Sequence, residues 1–308
     1  MVKKRISKRS FGVIVAECVK SNPNGDPDAN DMPRTMSDGH GFITPQCQKH
    51  RIRDLLSDHE DNVVWDYLVK ELQLNEEDFF IWESPLKGFS VSTPSKAQVE
   101  WKKLFKEKGK DGFLKRFFDT RIFGCTSLEG KEDKKDALRF TRQGCISMSP
   151  MSSVLPIEII VQTLVKANPL TQKGIDNAQG TPCPHALKIV RHGVYVGTYV
   201  INPAKAHYTK TTEKDIEVFK SLLPYHLSAS TAALRSNVRT VQVFHADHDN
   251  VLGSFNESDF YEFCKPEVID KKMVEQGIPS TSLDQYHLKT IEEIKERFPK
   301  VKVIGLVK

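Results

Sequence analysis

The segment Asn22-Pro23-Asn24-Gly25-Asp26-Pro27-Asp28 consists almost wholly of turn formers. Its prolines set φ and Gly25 is free to take a positive φ, so the loop is expected to be stiff. A stiff loop with one position bare of a side chain lets backbone N–H groups approach a ligand. The amides of Asn22 and Asn24 add donors and acceptors suited to bases or 2′-hydroxyls. Cations follow at Arg34, Lys49, His50 and Arg53. Positive charge directly after such a loop suits contacts to phosphate, which position a nucleic acid without reading its sequence.

Other clusters offer weaker chemistry. Asp26, Asp28, Asn30 and Asp31 are oxygen ligands of the kind hard cations prefer, but the EF-hand spacing fails. Counted from Asp26, the sixth position is Asp31 where glycine is needed, and the twelfth is Ser37 where glutamate is needed. His245-Ala246-Asp247-His248-Asp249 and Cys183-Pro184-His185 contain metal-capable residues, yet neither completes a four-ligand pattern. They are read as polar groups satisfied near the ends of strands and loops. Neither GxGxxG nor GxxxxGK[ST] occurs, and GxSxG is absent, so neither nucleotide binding nor a nucleophile elbow is indicated. No metal and no cofactor is expected.

The elements that must hold the loop are legible around it. Residues 11–19 are apolar at almost every position, the pattern of a central strand buried on both faces. Thr44-Pro45 opens a helix running to about Ser57, with Thr44 as N-cap and Pro45 in the first turn. On it Ile52, Leu55 and Leu56 form an apolar stripe, while Gln46, Lys49, His50 and Arg53 recur at helical spacing on another face. Residues 155–165 and 193–201 alternate as second and third strands, and 238–245 reads as a fourth. Between the last two, Thr212 and Asp215 cap an amphipathic helix containing Ile216, Phe219 and Leu222. Short helical segments around Trp65, Leu68 and Leu72, and then around Trp101, Leu104 and Phe105, interrupt the order after the first helix and read as an insertion. The fold class is α+β, in the strand–helix–strand–strand–helix–strand order of a ferredoxin-like or RNA-recognition-motif domain. In that setting Tyr195 and Tyr199 are read chiefly as sheet-packing residues, with base stacking as the alternative.

Bulk properties agree. The chain has 308 residues, 39% hydrophobic and 28% charged, which is globular and neither disordered nor fibrous. A formal net charge of +5 permits a polyanionic partner without requiring one. The basic N-terminal run Lys3, Lys4, Arg5, Lys8 and Arg9 adds only a solvated arm. Six scattered cysteines without a CxxC pair fit reduced thiols and a cytoplasmic protein. No apolar run reaches the roughly 20 residues of a membrane helix.

The motifs also carry a resemblance. Asn22-Pro23-Asn24-Gly25-Asp26-Pro27-Asp28, Met32-Pro33-Arg34, Gly39-His40-Gly41-Phe42-Ile43-Thr44 and Lys49-His50-Arg51-Ile52-Arg53 resemble the opening of the CRISPR Cascade backbone family (Cas-seven), in particular its type I-C (Csd-two) branch. Arg121-Ile122-Phe123-Gly124, Ser153-Val154-Leu155-Pro156-Ile157-Glu158-Ile159 and His192-Gly193-Val194-Tyr195 follow in order. The likeness spans roughly residues 10 to 250, and 61–115 carries none of its motifs.

The resemblance implies a modified RNA-recognition-motif palm over 1–60 and 140–260, with a thumb hairpin at about 166–188. It also implies an inserted finger or helical region over 61–139 and a C-terminal extension, 261–308, packing on the palm. It implies a non-catalytic subunit that binds CRISPR RNA, polymerises head to tail with copies of itself beside other Cascade subunits, and presents the guide to target DNA, with no membrane partner. Its expected RNA contacts are Asn22, Asn24, Gly25, Arg34, Lys49, Arg51, Arg53 and Arg121, with Lys166 and Lys173 on the thumb. Distant type III relatives suggest one alternative, a metal-dependent ribonuclease using an aspartate among 26–31.

Overall fold

The computed structural model describes residues 6–60, 62–84, 89–129, 138–165, 184–229 and 233–307. Its central strand is β1 (Ser10–Ser21), buried at every position from Ser10 to Cys18. The reason is visible in the side-chain alternation, since successive residues of a strand point to opposite faces. Ile14, Ala16 and Cys18 join one core cluster, whereas Phe11, Val13 and Val15 join clusters on the other side. A strand covered on both faces needs apolar residues in both registers, which is why the sequence shows a continuous run.

The chain then forms a two-residue ribbon, β2 (Gly25–Asp26) with β3 (Met32–Pro33), followed by β4 (His40–Ile43) and helix α1 (Pro45–Asp54). Next come α2 (Val63–Leu72), the long α3 (Pro94–Arg116), kinked at Gly109 where φ is +61°, and the short α4 (Phe118–Ile122). A separate hairpin, β5 (Gly124–Glu129) with β6 (Leu138–Gln143), closes this stretch. Its aromatic cluster of Trp101, Phe113, Phe117 and Phe140 stands apart, while Trp65, Leu68, Phe79 and Phe118 pack into the main core.

Strands β7 (Ile146–Met148), β8 (Met151–Pro156), β9 (Ile159–Val165) and β10 (Pro184–Ile201) follow, then helices α5 (Pro203–Thr209) and α6 (Glu213–Leu222) and strand β11 (Val238–Asp247). A short ribbon, β12 (Glu267–Val268) with β13 (Tyr286–His287), precedes β14 (Lys302–Gly305), and all pairings in the main sheet are antiparallel, in the order β14-β11-β1-β10-β8-β4, with β7 and β9 also on β10. Edge strand β14 (Lys302–Gly305) ends a C-terminal run that includes α7 (Glu257–Cys264), α8 (Lys271–Gln276) and α9 (Ile291–Arg297). These elements cover the face of Phe11 and Val13 with Phe260, Cys264, Ile294 and Val303. The observed class is thus α+β, a mixed helix and antiparallel-sheet fold.

Three boundaries differ from the sequence expectation. Helix α1 stops at Asp54, and Leu56 N–H turns back to the Arg53 carbonyl at 3.0 Å, a tightened last turn. The single strand expected over 155–165 is two, divided after Pro156, whose missing N–H cannot extend a ladder. The strand expected over 193–201 begins at Pro184, because its first half pairs with β9 as a hairpin. Tyr195 and Tyr199 are fully buried, so they pack rather than present rings to a base. Glycine makes room for both. A Cβ at Gly12 would lie 2.2 Å from the Tyr199 ring, and one at Gly41 would lie 2.5 Å from the Tyr195 hydroxyl oxygen.

Candidate nucleic-acid interface

Loop 22–34 owes its rigidity to pairing. Gly25 and Asp26 pair with Pro33 and Met32, and a 3-10 turn, Pro27–Ala29, fills the tip. The positive φ expected of Gly25 falls instead on Asn30 (54°) and Asp31 (57°), residue types that tolerate the left-handed region. Asp26 accepts the Asp28 N–H at 3.3 Å and pairs with the Arg34 guanidinium at 3.1 Å. Asn22, nearly fully buried, donates to the Asp31 carbonyl at 2.8 Å and so closes the loop across its base.

Two side chains fasten this loop to α1. The Asn24 Oδ1 accepts the N–H of Thr44, at 2.9 Å, and the Thr44 hydroxyl in turn caps the helix by accepting the Cys47 N–H at 3.1 Å. From within the helix, Arg51 donates to the Pro23 carbonyl at 2.8 Å and to the Leu227 carbonyl at 2.7 Å. The loop, the helix and the segment after α6 are therefore one braced unit. Within it Asn22 Oδ1 and Arg34 Nε are buried and have no hydrogen-bond partner among the described residues, leaving an acceptor and a donor unspent.

The cations of α1 divide by solvent access. Lys49 is half-buried over the Phe123 ring, 5.3 Å from its centroid, and burial together with the neighbouring Arg53 holds its ammonium below the ordinary value. His50 is exposed and faces Asp54 at 3.4 Å. Arg51 and Arg53 point inward. Arg53 bonds Asp119 at 3.1 Å and Glu83 at 3.0 Å, with its guanidinium carbon 5.1 Å from the centroid of the Phe123 ring that Lys49 also covers. Asp119 is further held by the backbone N–H groups of Trp82 and Glu83.

Arg121, expected to touch the RNA backbone, lies 3% exposed and spends its donors internally. It pairs with Asp215 at 2.7 Å and donates to the carbonyls of Asp78, Leu114 and Lys115. Arg51, Arg53 and Arg121, all expected at the RNA backbone, brace the protein internally here, directing donors at carbonyls and carboxylates, while Arg51 Nε has no partner among the described residues. Lys166 and Lys173 lie outside the described residues. Lys188, at the base of the β9–β10 hairpin, donates to the Asn30 carbonyl and so links that hairpin to the loop. Asp119 and Glu83 complete the site without having been singled out, whereas Asp215 was read only as a capping residue and Phe123 only as part of a motif. The Arg-x-Phe-Gly motif and the Thr212–Asp215 box marked Phe123 and Asp215, but no local signal showed which arginine each acid meets, since the acids come from distant segments.

Among the described residues, no three His, Cys, Asp or Glu side chains converge to hold a metal. His245 bonds Asp247 at 3.1 Å and the Tyr199 hydroxyl at 2.8 Å, while His248 bonds Glu257 at 3.0 Å and accepts the Ser254 N–H. Both are satisfied structural groups. No helix among the described residues is long and apolar enough to cross a membrane.

No curated protein sequence matches the chain. A chain of a CRISPR RNA-guided surveillance complex (pre-nicking) is similar over 96% of this chain and 90% of its own length, at 13% identity and a TM-score of 0.52. A chain of another CRISPR RNA-guided surveillance complex aligns over 94% of this chain and 87% of its own, at 11% identity and a TM-score of 0.45. The first comparison shows a shared fold. The family model of CRISPR-associated protein Cas7 matches residues 8–291, taking in the whole of β1, the loop, α1 and every other strand of the main sheet except β14. The chain belongs to the CRISPR-associated protein Cas7 family.

Proposed function

We propose that this chain is a non-catalytic backbone subunit that binds CRISPR RNA, repeats along the guide with copies of itself in a type I Cascade complex, and leaves guide bases free to pair with target DNA. The observation that carries this reading is the braced loop 22–34 against α1, with Lys49 and Arg34 at its solvent side, in a chain of the Cas7 family. A fixed loop beside part-exposed cations holds a backbone at little entropic cost, which suits a protein that positions RNA and leaves sequence reading to base pairing.

The strand order β11-β1-β10-β8, with α1 and α6 in the two crossovers, supports the RNA-recognition-motif palm. In this reading the β9–β10 hairpin is the base of the thumb that Lys166 and Lys173 would extend. The direct contacts are Lys49, Arg34, Asn24 and the backbone at Gly25. Arg51, Arg53 and Arg121 act behind them as positioning residues.

The deciding experiment is purification of the full chain with a CRISPR RNA, followed by sizing of the particle and of the protected RNA. The expected result is an oligomer on RNA whose length grows with the guide. A monomer that never retains RNA overturns the reading. Incubating the same particle with complementary RNA and Mg²⁺ is expected to give no cleavage, and cutting lost in Asp28→Ala would overturn the non-catalytic assignment.

A further inference from the structure

The two edges of the main sheet are finished differently. Along β4, Met36 N–H donates to the His40 carbonyl at 2.8 Å and Phe42 N–H to the Arg34 carbonyl at 2.9 Å, so residues 34–36 cover that edge. Strand β14 forms the other edge and pairs with β11 alone. Leu306 N–H reaches the Val243 carbonyl at 2.9 Å, which puts Ile304 and Leu306 in the hydrogen-bonded positions of this antiparallel ladder. The N–H and C=O groups of Val303 and Gly305 therefore face outward, and among the described residues nothing bonds them.

The side chains around this edge are of two kinds. Val303 is buried with Phe260 and Ile294, whereas Lys302 and Ile304 project to the other face, and Ile304 is 40% exposed. Gly305 leaves the end of the strand open, since a Cβ there would meet nothing within 4 Å. Over residues 295–302, the four cations Lys295, Arg297, Lys300 and Lys302 stand against the single carboxylate Glu296. All four are exposed and form no ion pair among the described residues. The strand also lies beyond residues 8–291, the part of the chain that the family model matches.

We infer that β14 is a docking edge for an extended segment of a protein partner in which apolar and acidic residues alternate. Another peptide backbone answers the outward N–H and C=O groups together, whereas a phosphate backbone offers acceptors only and would leave both carbonyls unmatched. The period of two in a strand sets the acids beside Lys302 and the apolar residues beside Val303. A second copy of the same edge is a poor occupant, because pairing would set Lys300 and Lys302 of one chain against those of the other. The inference goes beyond the guide-RNA function and uses none of its residues.

The test follows amide hydrogen exchange by NMR in the full chain, with a peptide of four Val-Glu repeats added at millimolar concentration. Exchange at Val303 and Gly305 is expected to slow about tenfold when nine in ten edges are occupied, while Ile304, already bonded to β11, changes little. Gly305→Pro removes an outward donor that β11 does not use, so it should abolish binding with the thermal midpoint unchanged. The double variant Lys300→Gln, Lys302→Gln should weaken the peptide about tenfold and flatten its salt dependence. If Gly305→Pro lowers the midpoint, the lysine variant decides alone. Unchanged exchange at millimolar peptide overturns the inference, as does equal slowing by four Val-Lys repeats. Equal slowing by oligouridine would assign the edge to nucleic acid, and self-association of the chain that Gly305→Pro abolishes would assign it to a second copy; either result overturns the inference.

Discussion

Lys49 and Arg51 are two residues apart, yet one turns its charge to the surface and the other turns it inward. Lys49 lies half-buried over Phe123, where burial and then Arg53 hold its pKa below the ordinary value, whereas Arg51 ties Pro23 to Leu227 through two carbonyls. The two should separate in a salt titration of guide RNA. Lys49→Ala is expected to weaken binding and flatten the salt slope by about one unit, the signature of one lost phosphate contact. Arg51→Lys keeps the charge but cannot reach both carbonyls, so affinity should fall while the slope holds. Identical slopes for the two variants would refute this division of labour. At Arg121 the stakes are stability. Asp215→Asn would leave a buried guanidinium without its counter-charge, at a cost of roughly 3 kcal/mol or more, to be read from the midpoint of urea unfolding. An unshifted midpoint would show that the pair contributes nothing.

Among the elements, β1 and β10 had to be assembled around their own aromatics. Gly12 faces Tyr199, which reaches His245 with its hydroxyl, and no larger residue fits between. Gly12→Ala should cost about 1–3 kcal/mol through overpacking, and Tyr199→Leu should make the second change cheaper than the sum of both. Strict additivity in the double variant would mean that the ring and the glycine are not coupled. The presence of β1, α1, α6 and β11 was legible because each carries a strong local pattern. Both helices carry their caps, Thr44 for α1 and the Thr212–Asp215 box for α6, as the sequence suggested. The break after Pro156 has a local cue, its missing N–H, that the apolar run concealed, whereas the early start of β10 was not legible because it depends on pairing with β9.

Over the whole molecule, acidity tests how the parts are locked together. His226 is fully buried where Arg51 meets the segment after α6, its Nδ1–H donates to the Leu223 carbonyl, and burial pushes its pKa down to about 4. The unfolded chain takes up this proton below its ordinary 6.5 and the folded chain only below about 4. Stability from this group is therefore full above pH 6.5 and falls between 6.5 and 4, by roughly 3 kcal/mol in all. Burial lowers His192 and His245 as well, which adds to the fall in the same direction. Asp247, held at about 2 by its bond to His245, contributes stability above its unfolded value that is lost only at lower pH. A thermal-midpoint profile of His226→Asn, which retains a donor for Leu223, should be flatter than that of the unaltered chain between pH 6.5 and 4. Parallel profiles would remove His226 from the account.

Short-range chemistry alone determined the presence of the main strands, the capped helices and the motifs that mark the Cas7 family. Each rests on φ restriction, periodicity or a cap three residues away, all of which are local. The tertiary structure decided which cations are available. Nothing near Arg51, Arg53 or Arg121 in the sequence reveals that Leu227, Asp119 and Asp215 will meet them, and a charge is free or committed only once the chain has brought its partner alongside.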